Sequence, residues 1–221
     1  MSATVHDEEG APADKPAPPV RDERVFCLKR SDLQEVLARR QGSVTISDLL
    51  ALPQYFLPRS IAEHDPGYKQ LIPYQLFCRD DAFFVYQRGG GVGESRLAGR
   101  LSLGIGGHIN SADAPDGILS PRSYLAALQR EQEEELVGLP PCEAIFLGLI
   151  DDDRDPVGLV HLGAVHLATL PPQAAPDIRQ AGEDLRHLGW WTAAEIDEQR
   201  QRFESWSLLA LDLTQRHHLS P

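Results

Sequence analysis

Three glutamates that follow an arginine could together bind a divalent cation. Residues 130–138 read Arg-Glu-Gln-Glu-Glu-Glu-Leu-Val-Gly. On an α-helix, which turns by about 100° per residue, Glu131, Glu134 and Glu135 share one narrow face and Glu133 lies on the opposite side. Beside that face the helix would carry an apolar stripe of leucines, at positions 125, 128, 136 and 139. A solvated acidic face is the ordinary alternative, but carboxylates beside a core cost free energy that a hard cation such as Mg²⁺ would offset. The pattern therefore favours a metal site.

The elements that must position these glutamates can be predicted as well. Ser120 is a good N-cap, Pro121 suits the first helical position, and Gly138 suits a left-handed residue after the helix. The sequence thus predicts a helix from about 121 to 137. Residues 99–109 predict a strand that runs into a glycine turn, which would bring backbone amides towards the carboxylates.

This arrangement resembles the Nudix box, in which a glycine, five residues, a glutamate and seven residues precede Arg-Glu-U-x-Glu-Glu-x-Gly-U, where U is a bulky aliphatic residue. Gly107 matches the leading glycine, and Arg130, Glu131, Glu134 and Glu135 match the Arg-Glu-x-x-Glu-Glu core at its spacing.

The chain departs from this box at four points. Asp113 stands where the family has the first glutamate, and Gln132 replaces an aliphatic residue. The second glycine comes one position late, at Gly138. Arg130 follows Gly107 by 23 positions, nine more than in the family pattern, and the extra residues predict a turn-rich loop.

A wider similarity extends over about residues 55–140. The segments 56–59, 70–74, 86–88 and 104–110 are similar to a subgroup of Nudix proteins described as predicted phosphoesterases. The resemblance implies five substrate-binding residues: Arg59, Arg88, Gly106, Gly107 and His108.

The resemblance implies the fold and the activity. The expected fold class is α/β, a Nudix-like α/β/α sandwich with a mixed β-sheet and an N-terminal extension. The expected activity is Mg²⁺- or Mn²⁺-dependent hydrolysis of the phosphoanhydride bond of a nucleoside diphosphate linked to another moiety. Glu131, Glu134 and Glu135 would bind the metal, and Arg130 would position Glu134, which is also expected to be catalytic.

Two alternatives remain: a Nudix-fold binding or sensing module without turnover, and an isopentenyl diphosphate isomerase, which would lack its cysteine because Gly106 stands in that place.

The general base is expected outside the box. Nudix enzymes often carry a further glutamate in a loop before a late tryptophan-bearing strand, and here Glu183 precedes Trp190 and Trp191. A carboxylate beside cations stays ionised and can accept a proton. Glu183 is therefore the predicted base, with Asp184 as the competing candidate and a solvated loop acid as the alternative.

Composition limits the partners. The 221 residues are 42% apolar and carry a net charge of −12, which argues against binding of duplex nucleic acid. The predicted partner is a small-molecule diphosphate, with no membrane contact and with a homodimer left open. Three cysteines without metal-type spacing and the lack of a leader-like N-terminus predict a soluble, cytoplasmic protein.

The chain is predicted to comprise a disordered tail at 1–20, a strand and helix extension at 21–60, and a Nudix domain at 61–221. Residues 72–78 and 82–88 predict a hairpin, and 143–150 and 158–169 predict two later strands. Asp151, Asp153 and Asp155 predict a solvated turn rather than a calcium loop, since the glycine and the final glutamate of that loop are missing. His161 and His166, five apart on a strand, would face opposite sides and could not bind one ion together.

Overall fold

A mixed β-sheet forms the centre of the computed structural model, which describes residues 22–41, 43–89, 99–179 and 185–218. The strands of this sheet are β1 (Arg24–Lys29), β2 (Gln54–Pro58), β3 (Tyr68–Arg79), β4 (Ala82–Gln87), β5 (Leu101–Ser102), β6 (Gly104–Gly106), β8 (Ile145–Ile150), β9 (His161–Thr169) and β11 (Arg186–Thr192). Two short strands, β7 (Leu136–Val137) and β10 (Asp177–Ile178), form a separate antiparallel ribbon.

The long strand β3 organises the main sheet. The order along its principal path is β11-β4-β3-β1-β2, with antiparallel pairing throughout. The strand β9 runs parallel to β3, so that residues 70–78 lie opposite residues 161–169, and β8 adds to β9. One parallel pair among antiparallel ones makes the sheet mixed, as predicted.

Helices cover both faces of this sheet. They are α1 (Arg30–Arg40), α2 (Ile46–Leu50), α3 (Arg59–Ala62), α4 (Pro121–Glu135), α5 (Pro156–Val160), α6 (Ala193–Glu198) and α7 (Ser205–His218). Alternate residues of β9 point to opposite faces: Leu162 and Ala164 belong to a core with α1, α2 and α4, whereas Val165 and Leu167 belong to a core with α6 and α7. The predicted α/β/α sandwich is therefore confirmed.

The acidic helix α4 begins where the sequence predicts. The side chain of Ser120 accepts a hydrogen bond from the backbone N–H of Ser123, and Pro121 is the first helical residue. The prediction of its end was two residues too long. Leu136 and Val137 leave the helix to pair with β10, and the Arg179 side chain donates to the carbonyls of Glu133 and Leu136, at 3.0 and 3.2 Å.

The apolar stripe of α4 is only partly as predicted. Leu128 and Leu136 are buried, but Leu125 is 52% exposed, so its assignment to the stripe was wrong. The buried side of the helix instead includes Gln132. Its Nε2 donates to Oε1 of the buried Gln75 at 2.5 Å. A polar residue is tolerated at this position of the box because a second buried amide satisfies it.

Several strand and helix ends differ from the predictions. The predicted hairpin is confirmed, and its turn places Asp80 and Asp81 at φ 49° and 63°, a region that aspartate tolerates. The strand predicted over 99–109 is interrupted and ends at Gly106. Helix α1 has Lys29 at its N-cap position, without a side-chain capping hydrogen bond.

The strand predicted over 158–169 begins only at His161. Asp155 caps the short helix α5 by accepting a hydrogen bond from the Gly158 N–H at 2.8 Å, and this helix takes residues 156–160.

The acidic run at 151–155 is more than the solvated turn that was predicted. The side chain of Lys69 is completely buried, and its Nζ lies 2.8 Å from Asp151 and 2.6 Å from Asp153. Arg30 also pairs with Asp153, at 2.7 Å. Because a buried ammonium group needs compensating charge, the run neutralises a lysine of the core.

The predicted tail at 1–20 lies outside the described residues. Residues 22–60 contribute β1 and β2, and β1 lies between β2 and β3 within the sheet. The predicted boundary between an extension and the domain stays a prediction. In the described part of the chain, no helix is long and apolar enough to cross a membrane.

Candidate active site

A cavity of about 340 Å³ lies beside the acidic helix and gathers chemically active residues from seven segments. Glu131 and Glu135 enter it from α4, and Gly106, Gly107 and His108 from the turn that ends β6. The other polar residues of its wall include Arg59, Glu63, Arg88, Asp155, His161 and Glu204. All five residues to which the family resemblance gave a substrate-binding role therefore meet in one cavity wall.

The carboxylate of Glu131 lies deep in this cavity, directly against the glycine turn. Its side chain is 12% exposed, and burial raises the pKa of Glu131 to about 7 although the Arg130 guanidinium lowers it. A Cβ atom on Gly107 would lie 2.0 Å from Glu131 Oε2. Only glycine leaves room there, so Gly107 sets how closely the turn approaches the carboxylate.

Arg130 connects the helix to the turn. Its guanidinium makes two hydrogen bonds to the Asp113 carboxylate, at 3.0 and 2.9 Å, and one to the His108 carbonyl at 3.0 Å. It also donates to Glu131 Oε1 at 2.7 Å. The hydrogen bond to Asp113, followed by the neighbouring carboxylates, raises the pKa of Arg130. Asp113 thus anchors Arg130 from the place of the box glutamate.

The structure separates the three predicted metal ligands. Glu131 and Glu135 line the cavity, whereas Glu134 does not; its side chain is 57% exposed and pairs with Arg130 at 3.2 Å. Glu133 faces a different groove of about 660 Å³ on the other side of α4, as its position on the helix predicted. Two of the three predicted ligands therefore face the cavity, and Glu134 does not.

Two arginines bring positive charge to the cavity wall. Arg59 in α3 pairs with Glu63 at 3.3 Å, and Arg88 pairs with Glu204 at 3.2 Å. Glu204 is itself buried, where it accepts hydrogen bonds from Tyr74 at 2.8 Å and from Ser102 at 2.5 Å. This buried network fixes the carboxylate that orients Arg88.

Sequence reasoning missed Glu63 and His161 as site residues. Glu63 lies four residues after Arg59, and His161 begins β9 beside His108, with the ring centroids 5.5 Å apart. Burial, together with the charges of Arg59 and His161, lowers the pKa of His108 to about 3. No local motif marks these residues. Glu63, His108 and His161 lie far apart in the sequence, and only the pairing of strands brings their segments together.

The remaining histidine prediction is confirmed. His166 does not approach His161; its Nε2 lies 2.8 Å from the Tyr124 hydroxyl in the core beneath α4. The predicted base Glu183, and its competitor Asp184, lie outside the described residues.

The cavity fits a hard divalent cation. The carboxylates of Glu131 and Glu135 supply the oxygen donors that Mg²⁺ and Mn²⁺ accept, and Glu131 occupies the space that a Cβ on Gly107 would fill. A bound cation would also favour the ionised form of the buried Glu131 carboxylate.

Comparison with known proteins places this geometry in a family. No protein-family model matches the chain. Protein YmaB of Bacillus subtilis (strain 168) is 39% identical over 160 residues, which span 70% of this chain and 75% of that protein. The crystal structure of Tm1382, described as a candidate Nudix hydrolase, superimposes with a TM-score of 0.68 at 26% identity and covers 87% of this chain and 98% of that one. With the glycine turn and the Arg-Glu-x-x-Glu-Glu helix in place, the chain belongs to the Nudix hydrolase family.

Proposed function

We propose that this protein hydrolyses the phosphoanhydride bond of a nucleoside diphosphate linked to another moiety, with Mg²⁺ or Mn²⁺ as cofactor. One observation carries the proposal: a single cavity places the carboxylates of Glu131 and Glu135 together with the guanidinium groups of Arg59 and Arg88. Carboxylates can hold cations, and arginines can hold the phosphate oxygens that those cations do not reach.

Glu131 and Glu135 would be the main metal ligands. Glu134 would be a secondary ligand, because it must leave Arg130 before it can turn towards the cavity. When bound, the cation polarises the phosphoryl oxygens and lowers the pKa of a bound water.

The other residues would position the substrate. Arg130 holds the Glu131 carboxylate through one of its nitrogens, so its role is to orient that ligand. Gly106 and Gly107 allow the backbone to come close to the diphosphate, and His108 faces the same space. Arg88, oriented by Glu204, would bind a phosphate oxygen.

Glu183 is our proposed general base. The position of the following strand supports this proposal. Arg186, at the start of β11, pairs with Gln87, and the next residue along the chain, Arg88, lines the cavity. The carboxylate would accept the proton of the attacking water.

The test is a screen of the full chain against nucleoside diphosphate conjugates, with Mg²⁺, with Mn²⁺ and with a chelator. Products are separated by chromatography to show which bond breaks. We expect turnover that the chelator abolishes, and a loss of at least about 100-fold in kcat for Glu135→Gln. Glu133→Gln is the matched control, since it removes the same charge from the opposite side of the same helix, and it should retain activity.

Two outcomes would contradict the proposal. Equal losses in Glu135→Gln and Glu133→Gln would show that the cavity is not the reaction site. Tight binding of a conjugate without turnover under either metal would favour the binding module, in which the same cavity recognises a nucleotide without cleaving it.

A further inference from the structure

We propose that Glu63, His108 and His161 form a second metal site, which binds a transition-metal ion of the zinc type and is distinct from the carboxylates of α4. The three residues come from separate segments: the end of α3, the turn after β6 and the start of β9. Their nearest ligand atoms all lie within 4.8 Å of one another.

The spacing of these atoms suits one central ion. Nε2 of His108 lies 3.7 Å from Glu63 Oε1, and Nε2 of His161 lies 3.8 Å from the same oxygen. Both distances are too long for hydrogen bonds. Ligands placed about 2.1 Å from a zinc ion are about 3.4 Å apart. Each histidine nitrogen therefore needs to approach the Glu63 oxygen by only a few tenths of an ångström, and the two nitrogens, which lie within 4.8 Å of each other, need to approach by at most about 1.4 Å.

The orientation of His161 supports metal binding. Its Nδ1 lies 2.8 Å from the carbonyl oxygen of Val157, which can only accept, so Nδ1 carries the proton. The other nitrogen, Nε2, then presents its lone pair towards Glu63. Histidines that bind metals are commonly held in this way, by a hydrogen bond from the second ring nitrogen to a backbone carbonyl.

His108 presents a second nitrogen to the same point. Its Nε2 is buried and has no hydrogen-bond partner. A buried polar atom without a partner costs free energy, and coordination of a cation would recover that cost. Glu63 supplies the negative charge; although Arg59 contacts Oε1 at 3.3 Å, the carboxylate keeps further lone pairs for a cation.

The donor set determines the class of metal. Two imidazole nitrogens and one carboxylate oxygen suit Zn²⁺, Co²⁺ or Fe²⁺, whereas Mg²⁺ prefers oxygen ligands alone. The cavity wall therefore carries two sets of metal ligands. The glutamates of α4 offer only hard oxygen donors, and Glu63, His108 and His161 offer softer nitrogen donors as well. Because the second set has only three protein ligands, the ion would keep open positions that face the cavity.

Metal binding without substrate tests this site. The full chain is freed of metal with a chelator and titrated with Co²⁺, whose visible absorption reports imidazole coordination, and then with Zn²⁺, in the presence of excess Mg²⁺. We expect one equivalent bound per chain. His108→Ala and His161→Ala should each weaken Co²⁺ binding by at least about 100-fold. His64→Ala is the control, since this exposed histidine neighbours Glu63 and makes a similar backbone contact. Glu131→Gln should retain Co²⁺ binding.

Unchanged Co²⁺ affinity in both histidine variants would overturn the proposal, as would an equal loss in Glu131→Gln, which would place the ion on α4. Anomalous scattering at the zinc edge from crystals of the unmodified chain provides a measurement that does not depend on variant folding. A peak among the three side chains supports the site, and a peak elsewhere or none refutes it. Since no substrate is used, failure of this site and failure of the proposed hydrolysis are separate results.

Discussion

Substitution of Gly107 by alanine is expected to lower metal-dependent activity by about 100-fold while leaving the fold intact. The added Cβ would lie 2.0 Å from Glu131 Oε2 and 2.4 Å from its carboxyl carbon, where ordinary contacts begin near 3.4 Å. The atom that must move is the end of a flexible side chain, so the cost to stability is small. The carboxylate must move by more than 1 Å, and this motion strains its hydrogen bond to Arg130, which is 2.7 Å long.

The displacement sets the magnitude. A misplacement of about 1 Å at a reacting centre can lower the rate by about 100-fold, so we expect a loss of this order in kcat for Gly107→Ala. The affinity for Mg²⁺ should fall as well, because Glu131 is a proposed ligand. The free energy of unfolding of the metal-free protein should change by less than about 1 kcal/mol.

The assay combines urea denaturation, Mg²⁺ titration and turnover on the conjugate that the screen identifies. Gly117→Ala is the matched control. Gly117 has a φ of +79° and no atom near an added Cβ, so alanine there should lower stability by about 1 kcal/mol without loss of metal binding. Normal Mg²⁺ affinity and turnover in Gly107→Ala would refute the reasoning.

Four further outcomes are expected. Lys69→Met should lower the free energy of unfolding by about 1–3 kcal/mol in urea denaturation, because Asp151 and Asp153 lose the buried ammonium group and Asp153 keeps only Arg30; an unchanged urea midpoint would contradict this. Burial lowers the pKa of His166 to about 4, so its contribution to stability is present above the unfolded pKa of 6.5 and lost as pH falls towards 4. A His166→Gln variant should show a flatter dependence of unfolding free energy on pH in that window, by up to roughly 3 kcal/mol, and an equal slope would be inconsistent with a neutral buried His166. Glu183→Gln should lower kcat by about 10²–10⁴ with KM and metal affinity nearly unchanged, and the same loss in Asp184→Asn instead would transfer the base to Asp184. Deletion of residues 1–20 should leave the melting temperature within error, and a fall of several degrees would show that this segment docks on the domain.

The parts of the site that lie close together in the sequence could be predicted. The start of α4 follows from Ser120 and Pro121, and the separation of Glu131 and Glu135 from Glu133 follows from helical periodicity. Both depend on residues within a few turns of one helix, where spacing determines geometry.

The parts that depend on long-range packing could not be predicted. The position of Glu134 is decided by Arg130, whose partner Asp113 lies 17 residues earlier in the chain. Glu63 and His161 enter the cavity because β3 pairs with β1 on one side and β9 on the other, and no local pattern contains that information. The acidic run at 151–155 likewise neutralises Lys69, a buried lysine that lies 84 residues before Asp153, and this pairing is not visible in the local sequence.

The nine extra residues of the box show why a longer spacing can leave the site in place. At one end of this loop, Asp113 is held by Arg130 and by the backbone N–H of Asn110, at 2.9 Å. At the other end, Leu119 is buried in the core, and Gln54 bonds both its N–H and its carbonyl, at 2.7 and 3.0 Å. Between these two anchors the chain projects outwards, with Ile118 69% exposed. Since each additional residue in an exposed loop adds little closure entropy, length can change there while the contact between Arg130 and the glycine turn stays the same. In this chain the contact between Arg130 and the glycine turn therefore depends on the Asp113–Arg130 pair and on the capped start of α4, which hold the two ends of the longer loop.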